Sequence, residues 1–184
     1  MYFQKPGSEN TSKAIEIAKE EALRRGIKKV VVASTYGDTG IAACKAFKGT
    51  GVEVIVVTHN YGFKEPGKLE MSDETRRKIE DLGGKVLTGT MVLRNIGTAI
   101  REKMGYSQQD LIADTLRMFG QGVKVCVEMA AMACDWGWVS PEEDIIAIAG
   151  TMRGADTVLV IKPFPSNRFF EIKVREVLAK PRDF

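Results

Sequence analysis

A run of β-branched residues at positions 30–33 stops at small hydroxyl residues and is followed by a glycine-containing loop and a helical pattern. The first amides of a helix have no intrahelical acceptors and lie at the positive end of the helix dipole. Together with nearby hydroxyls they can bind an anion, so we predict that residues 34–40 form the centre of a binding site. The residues expected to hold the anion are Ser34, Thr35, Gly37, Thr39 and Gly40.

Five segments have the composition of strands, and helical patterns separate most of them. The predicted strands cover residues 30–33, 52–58, 85–88, 144–149 and 157–161. Nearly continuous Val/Ile runs are typical of strands buried on both faces, which predicts a parallel sheet covered by helices. Residues 89–103 are predicted only weakly as a short helix, and periodicity does not decide between strand and helix for residues 169–178.

The composition is that of one globular domain, and we expect residues 1–184 to form it. The net charge is only +3 and the basic residues are scattered, so nucleic-acid binding is not indicated. Neither a signal sequence nor an apolar run of membrane-spanning length is evident, which predicts a soluble, cytoplasmic protein without membrane partners. Cys44, Cys126 and Cys134 lack the spacing of a zinc site and are interpreted as reduced core residues.

Two further loops follow predicted strands at their carboxyl ends. The first contains aromatic and amide side chains, which can contact a flat heteroaromatic ring. The second is rich in small residues and carries one guanidinium. The candidate ligand-binding residues in these loops are His59, Asn60, Tyr61, Phe63, Gly150, Thr151, Arg153 and Gly154.

In the 34–40 loop, in Gly150-Thr151 and in the 157–162 strand, the sequence resembles the C-terminal α/β domain of pyruvate kinase. It resembles more closely the small stand-alone archaeal proteins built on that domain, over nearly the whole length. The resemblance implies a three-layer α/β/α fold. Its sheet would be mixed but mostly parallel, in the order 3-2-1-4-5, with the last strand antiparallel to the others.

In that strand order, the loops at 34–40 and 150–157 face each other across one crevice, with residues 59–63 on its flank. The corresponding loop of pyruvate kinase holds a phosphate of an allosteric sugar bisphosphate. The catalytic barrel of pyruvate kinase has no counterpart in these 184 residues, so we expect no pyruvate kinase activity. The loop also lacks the lysine of a P-loop, which disfavours ATP hydrolysis.

A phosphate-binding loop beside an aromatic wall suits flavin mononucleotide (FMN), and the resemblance to the archaeal proteins agrees with it. Asp38 would repel a phosphate, and we interpret it as a helix cap turned away from the ligand. Arg153 and Lys162 are the candidates for charge compensation. Met91 and Met152 are candidates to cover a ring face, although core packing is the usual role of methionine.

Other functions stay open at this point. The alternative to a flavoprotein is a non-catalytic module that senses a sugar phosphate or nucleotide, and a third option is an assembly module that uses Trp136 and Trp138. No reaction is assigned, although His59 or Tyr61 could act as an acid in flavin-dependent redox chemistry. Glu128 is interpreted as a structural carboxylate that is either paired with a base or reaches the helix edge, and the sequence does not indicate whether the chain self-associates.

Overall fold

One mixed sheet runs through the centre of the chain, and the computed structural model describes residues 1–184. In chain order its strands are β1 (Tyr2–Phe3), β2 (Lys29–Ala33), β3 (Glu53–Val57), β4 (Lys85–Leu87), β5 (Ile145–Ala149), β6 (Thr157–Lys162) and β7 (Lys173–Pro181). They are arranged in the order β1-β7-β6-β5-β2-β3-β4. Only β6 runs against the other strands, because it pairs antiparallel with both β5 and β7.

Helices cover both faces of this sheet. They are α1 (Thr11–Arg25), α2 (Asp38–Phe47), α3 (Asp73–Asp81), α4 (Asn95–Met104), α5 (Gln108–Arg117) and α6 (Gln121–Asp135). The first three pack on one face, and α6 packs on the other with α5 and then α4 outside it. No helix combines the length and the apolar character that a membrane span requires.

The side chains of the central strands point alternately into two separate hydrophobic clusters. Val30 and Val32 of β2 pack under α1 and α2, whereas Val31 packs under α6. All three valines are fully buried, as expected for a strand that is covered on both faces. The alternation produces the three-layer α/β/α architecture that the sequence predicts.

The predicted strand order 3-2-1-4-5 is confirmed as β4-β3-β2-β5-β6, with an antiparallel last member. The structure adds two strands at the β6 edge. The undecided tail forms a short 3₁₀ helix at Ser166–Glu171 and then β7, which pairs with β6 and with β1. Most of β7 is exposed, so backbone pairing rather than burial forms this strand. Arg25 of α1 also donates two hydrogen bonds of 2.6 and 2.7 Å to Glu176 on β7.

The cysteines lie where a small apolar side chain is needed. Cys44 and Cys126 are buried in opposite clusters, and Cys134 is half-buried. Burial raises the pKa of the Cys44 thiol to about 11 and also raises the pKa of Cys126. Both thiols are therefore protonated at neutral pH and behave as core residues, as predicted.

The contact between α6 and β6 depends on the absence of a side chain at Gly122. A Cβ atom at this position would overlap the Thr157 hydroxyl and lie 3.2 Å from Oδ1 of Asp156. We expect Gly122→Ala to destabilise the fold by about 1–3 kcal/mol, which is the usual cost of overpacking. Helix propensity alone favours alanine by about 1 kcal/mol. The sign of the change in the free energy of unfolding, measured in urea, therefore decides between overpacking and helix propensity. A stabilised variant would contradict the close packing.

Candidate ligand-binding site

Three loops meet at the edge of the sheet where the parallel strands β2, β3 and β5 end. The first loop spans residues 34–37 before α2, the second follows β3 at residues 58–72, and the third joins β5 to β6 at residues 150–156. Together with α6 they enclose a cavity of about 200 Å³ that opens to solvent, here called the main cavity. The loops that the sequence predicts to be neighbours are therefore brought together.

The first loop leaves its backbone donors free. Gly37, with φ of 98°, turns the chain into α2, and the Ser34 hydroxyl accepts a 3.1 Å hydrogen bond from the amide of Gly40. The five amides of residues 35–39 donate to no protein acceptor. Such a run at the start of a helix is an arrangement that binds anions. Ser34 is thus used as a helix cap, a role that the sequence does not predict for it.

Hydrogen bonds that involve Asp156 and Thr11 fix the third loop. Asp156 accepts a 2.9 Å hydrogen bond from the Thr151 hydroxyl, and the amide of Ala155 donates to the Thr11 hydroxyl at 2.9 Å. The amides of residues 150–154 donate to no protein acceptor. A Cβ atom at Gly154 would overlap the Thr11 hydroxyl, so this glycine permits close packing on α1. The third loop thereby presents a second set of free donors to the main cavity.

Asp38 differs from its interpretation as a helix cap turned away from the ligand, because it does not cap α2 and it lines the main cavity. The N-cap of α2 is Gly37, and the Asp38 carboxylate accepts a hydrogen bond from Arg153 of the third loop. The Arg153 guanidinium also lies over the Tyr36 ring, 4.9 Å from its centroid. This pair joins the first and third loops and neutralises the charge that would otherwise repel an anion.

His59 lies against the main cavity with one charged neighbour behind it. Its ring stacks on Phe63 with 3.8 Å between the ring centroids, and its Nε2 is 3.4 Å from the Thr35 hydroxyl. Its Nδ1 faces Glu70 at 3.7 Å, and neither this nitrogen nor the Glu70 oxygens have a hydrogen-bond partner. Burial lowers the pKa of His59 from its usual 6.5, although the nearby Glu70 carboxylate opposes this shift.

His59 is the only histidine of the chain, so its titration can be followed without assignment. We expect its NMR ring resonance to titrate below about pH 6.5 in the folded protein, because burial disfavours the imidazolium. The neutral ring then contributes stability that is present above about pH 6.5 and is lost as the pH falls towards the folded pKa. The same resonance in urea serves as the control. A folded midpoint equal to or above the unfolded one would contradict the burial effect.

A buried ion pair on α6 forms the floor of the main cavity. Lys124 donates to Oε2 of Glu128, and their side chains are only 4% and 2% exposed. Oε1 of Glu128 accepts a 2.7 Å hydrogen bond from the amide of Leu93, which ties the segment before α4 to α6. The interpretation of Glu128 as a structural carboxylate paired with a base is confirmed.

Removing Lys124 alone leaves an unpaired buried carboxylate. We expect Lys124→Met to lower the free energy of unfolding by about 3–5 kcal/mol. The double variant Lys124→Met/Glu128→Gln keeps an acceptor for Leu93 and removes the charge, so it should recover most of that loss. Urea unfolding of the two variants at neutral pH measures the difference. An equal loss of unfolding free energy in both variants would show that the unpaired charge of Glu128 is not the cause of the destabilisation.

Nine predicted binding residues line the main cavity: Ser34, Thr35, Thr39, His59, Phe63, Gly150, Thr151, Arg153 and Gly154. Four do not. Gly37 and Gly40 face away from the cavity, since a Cβ atom at either would meet Ile79 of α3. Asn60 donates to the Tyr61 carbonyl at 2.6 Å, and Tyr61 is 58% exposed within the second loop.

The prediction that Lys162 compensates ligand charge is wrong. Lys162 is the last residue of β6, which runs antiparallel to β5 with Ala149 opposite Thr157. It therefore lies at the opposite edge of the sheet from the main cavity. Met91 and Met152 both line the cavity, but Met152 is 93% exposed and covers no buried surface.

Sequence reasoning missed the polar residues that α6 and its neighbours contribute. These missed lining residues are Arg94, Arg117, Gln121 and Lys124, and Tyr36 and Thr58 of the first and second loops are missed as well. A signal existed for one of them, since Lys124 stands four residues before Glu128 in an otherwise apolar helix, the spacing of an intrahelical ion pair. Arg94 and Arg117 carry no such signal because their position depends on how α4 and α5 pack.

No protein-family model matches the sequence. Among solved structures, the chain is similar to O-ureido-L-serine synthase, with 17% identity and a TM-score of 0.34 over 74% of this chain and 50% of that one. It is also similar to a pyridoxal 5'-phosphate-dependent aspartate racemase, with 17% identity and a TM-score of 0.33 over 75% and 46% of the two chains. A third similar structure is a hydrogen sulfide-producing enzyme from Fusobacterium nucleatum, with 15% identity and a TM-score of 0.34 over 52% of this chain and 29% of that one.

The chain spans half or less of the length of these three proteins. Likenesses at such low identity and TM-score do not indicate a ligand or a reaction for this chain. The resemblance to the pyruvate kinase C-terminal domain likewise stays a prediction. Any function must therefore be argued from the main cavity itself.

Proposed function

We propose that the chain binds a phosphorylated ligand with a planar ring in the main cavity, and that this ligand is FMN. The observation that carries the proposal is the run of free amides at residues 35–39, four of whose residues line the same cavity as the His59 and Phe63 rings. One end of the cavity suits a phosphate and one wall suits a ring. A ligand that joins the two groups uses both features.

The phosphate end has donors and little opposing charge. The free amides lie at the start of α2, where the helix dipole favours an anion, and the Thr35 and Thr39 hydroxyls line the same cavity. Asp38 is neutralised by Arg153, and Arg94, whose side chain has no ion-pair partner, adds positive charge at the cavity. The residues present therefore fit a dianionic group.

The ring end offers aromatic and apolar surface. His59 and Phe63 are stacked on each other. The Arg94 guanidinium lies over the Phe63 ring, 4.5 Å from the ring centroid. Met129 and Met132 of α6 add polarisable apolar surface below. A sugar phosphate needs no such wall, whereas a heteroaromatic ring does. This difference favours a flavin over a simple sugar phosphate.

Bound FMN would supply electron and hydride transfer, and the chain would bind and orient it. Within this cavity His59 is the side chain whose ordinary pKa allows proton exchange near neutral pH. A flavin-dependent redox reaction is therefore part of the proposal, with no substrate assigned to it. The alternative function, non-catalytic sensing of a sugar phosphate or nucleotide, uses the same amides; a sugar phosphate would make no use of the ring wall, whereas a nucleotide would place its base there.

The test is fluorescence titration of the chain with FMN. We expect quenching of the flavin fluorescence, and we expect Thr35→Asp to weaken binding by about tenfold or more because a carboxylate beside the free amides repels the phosphate. Thr50→Asp is the matched control, since Thr50 lies in the turn before β3 at the other edge of the sheet and its substitute can still accept from Val52.

The outcomes separate the two functions. Loss of affinity in Thr35→Asp with none in Thr50→Asp supports the assignment of the phosphate to the first loop. Absence of quenching with FMN, together with heat of binding for a sugar phosphate, would replace the flavoprotein proposal by the sensing module. Riboflavin, which has the ring without the phosphate, should bind far more weakly than FMN.

A further inference from the structure

A second, smaller cavity lies next to the main cavity and shares a wall with it. This side chamber has a volume of about 150 Å³ and is enclosed by α4, α5 and the first turn of α6. Arg94, Arg117 and Lys124 line both cavities. Leu93, Thr98, Arg101, Asp110 and Asp114 complete the side chamber and do not reach the main cavity.

The cations around the side chamber have more hydrogen-bond donors than the protein uses. Lys124 has three N–H groups and donates only to Glu128, although its side chain is 4% exposed and thus largely cut off from bulk water. Arg101 makes one hydrogen bond, to Asp110, and Arg94 makes none. Buried ammonium groups are normally satisfied, so the free donors of Lys124 indicate an acceptor that the chain itself does not provide.

The acidic residues of the side chamber are already engaged. Asp110 accepts from Arg101 at 3.1 Å and from the Ser107 hydroxyl at 2.6 Å. Asp114 accepts from Arg117 at 2.6 Å, and its side chain is 70% exposed to solvent. With Glu128 paired to Lys124, the four cations exceed the three carboxylates by one positive charge. The excess charge and the free donors both favour an anion.

We infer that the side chamber is a second anion subsite, which takes the carboxylate or phosphate of a small molecule. This subsite is separate from the free amides of the first loop, so the chain would hold two anionic groups at once. The identity of the second molecule rests on the proposed function: beside a bound planar ligand, it is an acidic small-molecule substrate whose remainder extends through the shared wall towards the ring. Lys124 and Arg117 would position that acidic group.

Inorganic phosphate is the probe for both subsites, measured by isothermal titration calorimetry on the full chain. We expect two phosphate ions per chain. Arg101→Gln removes a cation that lines only the side chamber, and we expect it to weaken one of the two binding events by about tenfold while the other is unchanged. Arg24→Gln is the matched control, because Arg24 is also an exposed helical arginine in an ion pair and lies far from both cavities on α1.

The experiment distinguishes the side chamber from the first loop. Thr35→Asp should abolish the binding event that Arg101→Gln leaves intact. If Arg101→Gln weakens phosphate binding and Thr35→Asp does not, the anion subsite in the side chamber is supported. The same result contradicts the proposed phosphate site at the first loop. If Arg101→Gln binds phosphate like the unaltered chain, or if Arg24→Gln weakens binding equally, the side-chamber subsite is overturned.

FMN titration of Arg101→Gln tests whether the anion belongs to a second molecule. We expect unchanged affinity, because the FMN phosphate lies at the first loop in the proposed arrangement. A loss of FMN affinity as large as the loss of phosphate affinity would mean that the side chamber holds the phosphate of the first ligand. That result would overturn the inference of a separate acidic substrate.

Discussion

The parallel pairing of β2 with β3 on one side and with β5 on the other is the constraint on which the site depends. In this register Ala33 lies opposite Val57, and the pairing of Val32 with Ile148 brings the end of β5 to the same edge. Each strand then delivers its following loop to one place. Val30, Val31 and Val32 are completely buried on two faces, so helices cover this central part of the sheet on both sides.

The distribution of backbone hydrogen bonds separates the rigid parts of this edge from the parts that can bind. The amide of Ser34 donates to Val57, and the amides of Ala155 and Asp156 donate to Thr11 and Ala149. These bonds anchor the ends of the first and third loops. Between the anchors, the amides of residues 35–39 and 150–154 have no protein acceptor. A loop held at both ends in this way presents donors to a ligand without having to reorganise when the ligand binds.

The sequence pattern predicts where the buried strands lie and end, whereas the strand order, and with it the meeting of the loops, is implied only by the resemblance to the pyruvate kinase C-terminal domain. The sequence was not sufficient for the details that depend on strand direction or helix packing. The prediction for Lys162 fails because β6 runs antiparallel to β5, which takes its last residue to the opposite edge of the sheet. Tyr61 was placed in the ring wall because composition cannot tell which residues of the second loop turn towards solvent.

The side of the main cavity formed by α6 also depends on helix packing, which the sequence does not predict. Its apolar face packs on β5, β6 and β2, and α5 packs on its outer side with α4 beyond, at positions that no periodicity encodes. Arg94 and Arg117 reach both cavities only because of that packing. Residues on a helix that packs on another helix are therefore harder to assign from sequence than residues at strand ends.

The two ion pairs at the main cavity differ in what they can do when a ligand binds. Asp38 and Arg153 are 70% and 66% exposed, so solvent screens their attraction and the pair can separate at little cost. Lys124 and Glu128 are buried, and separating them would leave two unpaired charges away from water. The exposed pair can therefore adjust its position when a phosphate binds, whereas the buried pair holds the floor in place and offers only the free donors of Lys124. A ligand is thus met by one adjustable cation at the loops and one fixed cation on α6.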